Sequence, residues 1–356
     1  MNKYLVLITL IIFSFSCSDS NESKTQNPPE QNEFLKGVDI SFLPQIEASG
    51  YTYINSNNQP QDALSIFKNN GINTVRLRLW KNPETTHSSF DEVKTLAQRV
   101  KNKGMKVWLT VHYSDTWADP GHQEKPEQWQ NISFQALKDS VYNYTKKIVT
   151  QINPDYMQIG NEVNAGVLFP EGNLTNNPTQ FKELLNQGLQ AVNDYAPTAK
   201  TIIHFAGHSD ANWFFGNLTD LDYDIIALSY YPFWHGTSLT NLETNITNLK
   251  TNHNKDVIIA ETAYPFTLDW NDWTNNIIGS QEQLIPNYPA TPQGQLNFMN
   301  DINQICLNTE ALGFCYWAPE WVAYNGSQSS EGSAWENLAL FDFNGKVLPT
   351  ISIFND

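Results

Sequence analysis

From residue 37 onward, short apolar runs rich in β-branched residues alternate with longer amphipathic runs. No other feature narrows the fold as far. Strand candidates are residues 37–41, 74–80, 106–112, 156–160, 201–205, 225–230, 257–261 and 314–317. The spacing between them predicts helices over 61–69, 90–103, 133–151, 179–195, 211–216, 239–252 and 292–308. The helix at 90–103 runs into Gly104, a residue suited to the left-handed turn that stops a helix. Strand and helix alternating over roughly 300 residues is the pattern of an α/β chain folded as a single (β/α)8 TIM barrel. A doubly wound open sheet is the competing reading. It carries a Gly-rich phosphate loop after its first strand. Here that strand reads Gly37-Val38-Asp39-Ile40-Ser41, with no such loop. There is no fixed-period repeat and no second domain.

The charge balance excludes several partners. The 356 residues carry 21 Lys+Arg against 37 Asp+Glu, a formal charge of -16. Nucleic acid and anionic lipid surfaces both require a basic face. The composition is 40% hydrophobic and 13% aromatic, enough to bury a core. With 11 Trp, 15 Tyr and 19 Phe, the aromatic content invites a second use besides packing. Flat, hydroxyl-rich ligands such as sugars supply one.

Residues 1–16 read as a signal peptide: Lys3 is positive, 5–15 are mostly apolar, and Ser14 and Ser16 give a small-x-small cleavage pattern. The run is too short to span a bilayer. Cys17 follows, then Ser18-Asp19-Ser20-Asn21-Glu22. This resembles a bacterial lipoprotein signal, in which Cys17 becomes the lipidated first residue. It departs at Ser14, where an aliphatic residue is usual, so ordinary secretion with a free Cys17 is the alternative. The acidic residues after Cys17 resemble the export tag of surface-displayed lipoproteins. The expectation is an exported outer-membrane lipoprotein, exposed on the cell surface and touching the membrane only through its N-terminal lipid anchor. Residues 17–34 would be anchor and flexible tether, and 35–356 the (β/α)8 catalytic domain. Cys306 and Cys315 are expected as buried free thiols. Three cysteines make neither a disulfide framework nor a metal spacing.

In a barrel of this type the chemistry sits at the C-terminal ends of the strands. Those ends read Asp39, Arg78 with Trp80, His112, Glu162, His204, Tyr230, Glu261 and Trp317. Two carboxylates, polar orienting groups and aromatic platforms are what sugar cleavage needs. Glu162 follows strand four, and Glu261 closes the apolar run Val257-Ile258-Ile259-Ala260. A carboxylate there is costly to bury unless paired or hydrogen-bonded. Strands four and seven face each other across the mouth, so the two acids can flank one glycosidic bond. Two buried salt-bridge acids, held for instance by Arg78, are the structural alternative.

Asn161-Glu162 after strand four and Glu261 ending strand seven resemble the catalytic pair of clan A glycoside hydrolases. Within that clan the chain resembles family 53, the endo-β-1,4-galactanases, over roughly residues 35–353. The resemblance is carried by Gly37-Val38-Asp39-Ile40-Ser41, Val75-Arg76-Leu77-Arg78-Leu79-Trp80, Gly160-Asn161-Glu162, Ser229-Tyr230-Tyr231-Pro232 and Ala260-Glu261-Thr262. The run His112-Tyr113-Ser114-Asp115-Thr116-Trp117-Ala118-Asp119-Pro120 is the most specific, and Glu336-Asn337-Leu338-Ala339-Leu340-Phe341-Asp342 closes the series.

The resemblance implies roles. Glu162 would be the acid/base and Glu261 the nucleophile of a retaining double displacement. Asn161 would bind the sugar 2-OH. Tyr230 and Arg78 would orient Glu261, and His112 would shape the neighbouring subsite. Asp39, Asp115, Trp117, Trp317, Trp321 and Trp335 would complete the substrate groove. A cis peptide is implied after Trp317. The family more often has Trp-Glu-Pro-Ala-Trp there, whereas this chain reads Trp317-Ala318-Pro319-Glu320-Trp321. In the long polar loop 262–289 and near the C-terminus, the resemblance to bacterial members of the family implies a structural calcium on Asp269, Asn271, Asn275, Ser333 and Glu336; Trp273 departs from the ligand run, and an uncoordinated loop cap is the alternative. No cofactor is expected for the chemistry. The expected partner is a neutral galactan polysaccharide or its oligosaccharides, bound by a monomer. The alternatives are another clan A β-1,4-glycanase, such as a mannanase or glucanase, and a non-catalytic glycan-binding surface lipoprotein.

Overall fold

In the computed structural model, which describes residues 33–355, the strands pair in sequence order and the last closes on the first. The signal and Cys17 lie outside the described residues. The strands are β1 (Leu35–Asp39), β2 (Thr74–Leu79), β3 (Lys106–Val111), β4 (Tyr156–Ile159), β5 (Lys200–Ala206), β6 (Ile225–Ser229), β7 (Asp256–Thr262) and β8 (Gly313–Trp317). All pairings are parallel. This is the closed eight-stranded (β/α)8 barrel that the alternation predicts, and residues from Phe34 onward form one compact unit.

Helices cover the outside. They are α1 (Leu43–Ala48), α2 (Ala63–Asn69), α3 (Phe90–Asn102), α4 (Phe134–Ile152), α5 (Pro178–Tyr195), α6 (Ala211–Gly216), α7 (Pro232–His235), α8 (Leu239–His253) and α9 (Pro292–Asn308). Their starts are chemically marked. Ser89, Ser133, Ser238 and Thr291 each accept the amide hydrogen bond that caps α3, α4, α8 and α9. Sequence periodicity misses α1 and α7, which are too short to show a 3.6-residue repeat. Among the described residues, no helix is long and apolar enough to cross a membrane.

Alternate strand residues face opposite ways, and the two faces differ in chemistry. Val75, Leu77 and Leu79 of β2 join the large core between strands and helices. The inward set has an apolar floor of Leu35, Trp108, Ile202, Ile225, Ala227, Ile258, Ala260, Leu312 and Cys315. Polar residues one layer higher, Arg76, Thr110, Gln158, His204 and Ser229, are all buried. Cys306 and Cys315 are buried free thiols.

One irregularity aims a functional side chain. On β7, Ile258 and Ala260 point inward, so strict alternation would turn Glu261 out toward the helices. The register shifts at this point: Leu228 pairs with Ile259, but Ser229 pairs with Glu261. A second shift follows against β8, between Ile259 and Thr262. The bulge returns Glu261 to the barrel mouth, a recurrent use of bulges beside functional sites.

Closure of the barrel depends on Gly313. It lies at φ +139°, and a Cβ there would stand 2.0 Å from the Leu35 carbonyl oxygen across the β8–β1 seam. Gly313→Ala should therefore lower stability by about 2 kcal/mol or more. A thermal unfolding midpoint equal to that of the wild type would contradict this reading of the seam.

Candidate active site

The buried Arg76 guanidinium forms the floor of the mouth. Its Nη1 lies 2.8 Å from Asp39 Oδ2 and 2.8 Å from Glu261 Oε1. Nη2 donates to Asn161 Oδ1 at 2.8 Å, and Nε donates to Gln158 Oε1 at 3.2 Å. Desolvation alone would weaken its positive charge, but Glu261 and Asp39 outweigh burial and raise its pKa. Strands β1, β2 and β7 and the turn after β4 thus converge on one cation. Tyr231, just past β6, donates its hydroxyl to Glu261 Oε2 at 3.2 Å. Both oxygens of Glu261 are therefore held.

Glu162 is placed differently. It follows β4 with a left-handed backbone, at φ +46°. The amide of buried Gln123 donates to the Asn161 carbonyl at 2.9 Å, with the Glu162 carbonyl at 3.4 Å. That brace offsets the cost of an unfavourable conformation. Ser229 donates to Glu162 Oε1 at 2.5 Å. Glu162, His204 and Glu261 each place one ligand atom within 4.8 Å of the others. Burial raises the pKa of Glu162 first, and the charge of Glu261 raises it further. Burial also pushes Glu261 up, but Arg76 and Tyr231 oppose it. Two such acids share one proton. With a guanidinium in contact with Glu261 and only a serine hydroxyl on Glu162, that proton resides on Glu162.

A pocket of about 560 Å3 opens above this pair, lined by Asp39, Arg76, Arg78, His112, Trp117, Asn161, Glu162, Tyr231, Trp234, Glu261, Trp317 and Trp335 among others. His112 accepts the Ala118 amide on Nδ1 at 2.9 Å, with Trp80 Nε1 at 3.4 Å. Its proton therefore sits on Nε2. Burial, aided by Arg78 and Arg76, keeps the ring neutral. Asn161 donates one amide hydrogen to the Ala118 carbonyl at 2.8 Å and has a second to offer. A second cleft of about 640 Å3 shares Trp117, Asp119 and Trp317 with the pocket and extends it past Trp321 and Ile277.

Several expected positions need correction. The Tyr230 side chain does not reach the Glu261 carboxylate, although its backbone amide donates to the Glu261 carbonyl at 2.7 Å. It lies on the outer face of β6, donates to the Gly236 carbonyl at 2.9 Å and stacks with Phe298. Its neighbour Tyr231 makes the contact, because alternation reverses the face at each step. Arg78 lines the pocket but forms no ion pair with Glu261; Arg76, one repeat deeper, does. The Arg78 guanidinium sits between Phe42, Trp80 and Trp117, the last at 3.9 Å, and burial lowers its pKa to about 10. Asp115 is not brought to the pocket; it accepts the Glu127 amide at 2.8 Å. Trp80 is buried behind His112. Among the described residues the cis peptide is Phe169–Pro170, not the bond after Trp317, where Ala318 turns with φ +52° instead.

The altered segment after Trp317 buries Glu320, which accepts the Phe42 amide at 2.9 Å. Trp321 stacks on Phe42 with ring centroids 3.7 Å apart. Sequence reasoning missed Arg76, Ser229, Tyr231 and Trp234. Arg76 and Ser229 were legible in principle, since they share the inward parity of Arg78 and Ala227.

On the 262–289 loop, Asp269 and Asn275 are exposed and Asn271 is half-buried. The Ser333 hydroxyl donates to the Trp321 carbonyl at 2.7 Å. Glu336 Oε1 accepts the Asn271 amide at 2.5 Å, while Oε2 is buried with no hydrogen-bond partner among the described residues. Asp272, absent from the expected ligand set, ties the loop down by accepting the Ser333 amide at 3.1 Å.

The two tyrosines can be separated by experiment. Tyr231→Phe removes a donor to a charged carboxylate, a loss of about 1.5–3 kcal/mol, and should cut turnover roughly tenfold to a hundredfold with little change in melting temperature. Tyr230→Phe should leave turnover near wild type. The reverse pattern in steady-state kinetics would contradict the assignment.

Known proteins with similar sequences and structures bear on this site. The model of glycosyl hydrolase family 53 matches residues 35–354. The chain is 34% identical to the arabinogalactan endo-β-1,4-galactanase of Cellvibrio japonicus, covering 99% of this chain and 97% of that protein. It is 31% identical to the endo-β-1,4-galactanase of Bacillus subtilis, covering 90% of this chain and 85% of that one. A family 53 catalytic domain from Ignisphaera aggregans superposes with a TM-score of 0.86 at 38% identity, covering 92% of this chain and 97% of that one. A family match across nearly all the described residues, with relatives above 30% identity along almost their whole length, shows that the chain belongs to glycosyl hydrolase family 53.

Proposed function

We propose that the protein is a retaining endo-β-1,4-galactanase acting on galactan or type I arabinogalactan. One observation carries the mechanism: carboxyl oxygens of Glu162 and Glu261 within 4.8 Å of each other across the pocket. Retaining enzymes hold their carboxyl groups about 5–5.5 Å apart, whereas inverting ones need roughly 6.5–9.5 Å to admit a water. The named activity of the relatives supports the substrate, and the continuous pocket and second cleft support binding a chain on both sides of the cleaved bond.

In the first step Glu261, kept ionised by Arg76 and Tyr231, attacks the anomeric carbon. Glu162 gives its proton to the departing glycosidic oxygen. The resulting ester removes the negative charge of Glu261, so the pKa of Glu162 falls and it becomes a base. In the second step it takes a proton from the water that displaces Glu261. The free amide hydrogen of Asn161 suits the sugar 2-OH, a contact that strengthens at the transition state. The neutral His112 offers a donor from Nε2. A non-catalytic binding role is disfavoured by the retention of both carboxylates and their paired environments.

Purified protein should release oligosaccharides from galactan but not from mannan or carboxymethylcellulose, and Glu261→Ala should lose about a thousandfold or more. Galactan left intact, or a product whose first-formed anomer is inverted by NMR, would overturn the proposal. The rate should fall at high pH as Glu162 loses its proton, with that limb well above the ordinary carboxylate range because Glu162 is raised. It should fall at low pH as Glu261 gains one.

The proposal extends to the N-terminus and the loop. Cys17 would anchor the protein to the outer membrane, with the barrel working as a monomer at the cell surface. A calcium would be structural and would find its free ligand oxygen in Glu336 Oε2. Chelation should then lower the melting temperature by a few degrees, and Glu336→Gln should abolish that response. An unchanged melting curve in chelator would remove calcium from the account.

A further inference from the structure

Behind Glu162 runs a buried polar chain that the two-carboxylate mechanism leaves unexplained. Ser229 Oγ lies 2.5 Å from Glu162 Oε1 and 2.9 Å from His204 Nε2. His204 Nδ1 lies 3.1 Å from both Gln158 Nε2 and Asn161 Oδ1. Ser229 and His204 are fully buried. Among the described residues, Glu162 Oε2 takes no protein donor, and Glu162 lines the pocket. The two oxygens of one carboxyl group are thus in unlike surroundings.

The direction of the hydrogens follows from the neighbours. Asn161 Oδ1 already accepts the charged Arg76 Nη2 at 2.8 Å. Gln158 Nε2 gives one hydrogen to the Gly160 carbonyl at 2.9 Å, and its other is shared between His204 Nδ1 at 3.1 Å and Asn161 Oδ1 at 3.2 Å. The positive charge of Arg76 favours a lone pair on this side of the imidazole, and burial with that charge keeps the ring neutral. Nδ1 is therefore an acceptor and Nε2 carries the hydrogen. Nε2–H points to Ser229 Oγ, so the serine hydrogen points to Glu162 Oε1. The opposite tautomer would reverse the chain and draw the Glu162 proton onto Oε1, away from the substrate.

We propose that Ser229, aligned by His204, is a positioning residue that keeps the acid–base proton of Glu162 on Oε2, the oxygen facing the leaving group. The inference rests on the acid–base role proposed for Glu162. As the glycosidic bond breaks, its electron pair goes to the leaving oxygen, which takes the proton from Oε2. In the second step Oε2 removes a proton from water as the water oxygen bonds to the anomeric carbon and the ester bond to Glu261 breaks, its electron pair returning to the Glu261 carboxylate. The hydrogen between Ser229 and Oε1 stays in place through both steps. Because the serine also stabilises the carboxylate, its loss should raise the pKa of Glu162.

The test compares two leaving groups. On galactan, whose leaving oxygen needs a proton, Ser229→Ala should lower kcat/KM roughly tenfold or more, a modest share of a general-acid contribution of about 10²–10⁴. On a 2,4-dinitrophenyl β-galactobioside, whose leaving group needs none, kcat/KM should change less than about twofold. The alkaline limb of the galactan profile should move upward, and Ser229→Thr, which keeps the hydroxyl, should restore both properties. His204→Gln provides a second variant that disturbs the chain without touching the serine and should shift the two substrates in the same sense. Equal losses on both substrates, or no loss on galactan, would overturn the assignment. Failure of the underlying reading is distinguishable, because Glu162→Ala would then cleave galactan at the wild-type rate.

Discussion

The site is organised around a cation in a place where water cannot reach it. Arg76 is 1% exposed and touches Asp39, Glu261, Asn161 and Gln158. A buried guanidinium without partners would be prohibitively costly, so the fold must bring carboxylates to it. It supplies two, from β1 and β7, and with Asn161 the turn after β4 is pinned as well. The same contact decides the chemistry. Positive charge in direct contact with Glu261, and acting on Glu162 only without contact, separates the two acids.

Around this charged floor the aromatic residues divide by depth. Trp108, Tyr264, Tyr316 and many phenylalanines are fully buried and fill the core. Trp117, Trp234, Trp317 and Trp335 line the pocket, with Trp234 and Trp335 stacked nearly parallel. Trp117 also faces Arg78, whose charge is satisfied by three rings, the Ser88 hydroxyl and His87 Nε2 rather than by a carboxylate. The acidic chain and this mouth, whose internal ion pairs are walled by aromatic rings, are compatible: the net charge excludes polyanions without implying a charged ligand.

Much of this was legible in the residue order. Strand positions differ from their expected limits by two residues or fewer, because β-branched runs and Ser/Thr caps act locally. Glu162 and Glu261 stood out because carboxylates at the ends of apolar strands need a reason. Tyr231 and Arg76 were missed because a strand end read as a position does not say which face a side chain takes. One residue of parity separates Tyr231 at Glu261 from Tyr230 on Phe298. The contacts that tie down the 262–289 loop were harder still, since Asp272 and Glu336 meet across 64 residues.

The residue order alone pointed to the barrel and to Glu162 and Glu261 as a pair, because periodicity, caps and the cost of burying charge are short-range properties. Three-dimensional packing sets which of the two acids lies against a cation and which way each faces. The bulge in β7 turns Glu261 inward against strict alternation. Contacts from β1, β2 and β6 then set its charge. Those effects depend on distances between residues far apart in the chain, and no local pattern encodes them.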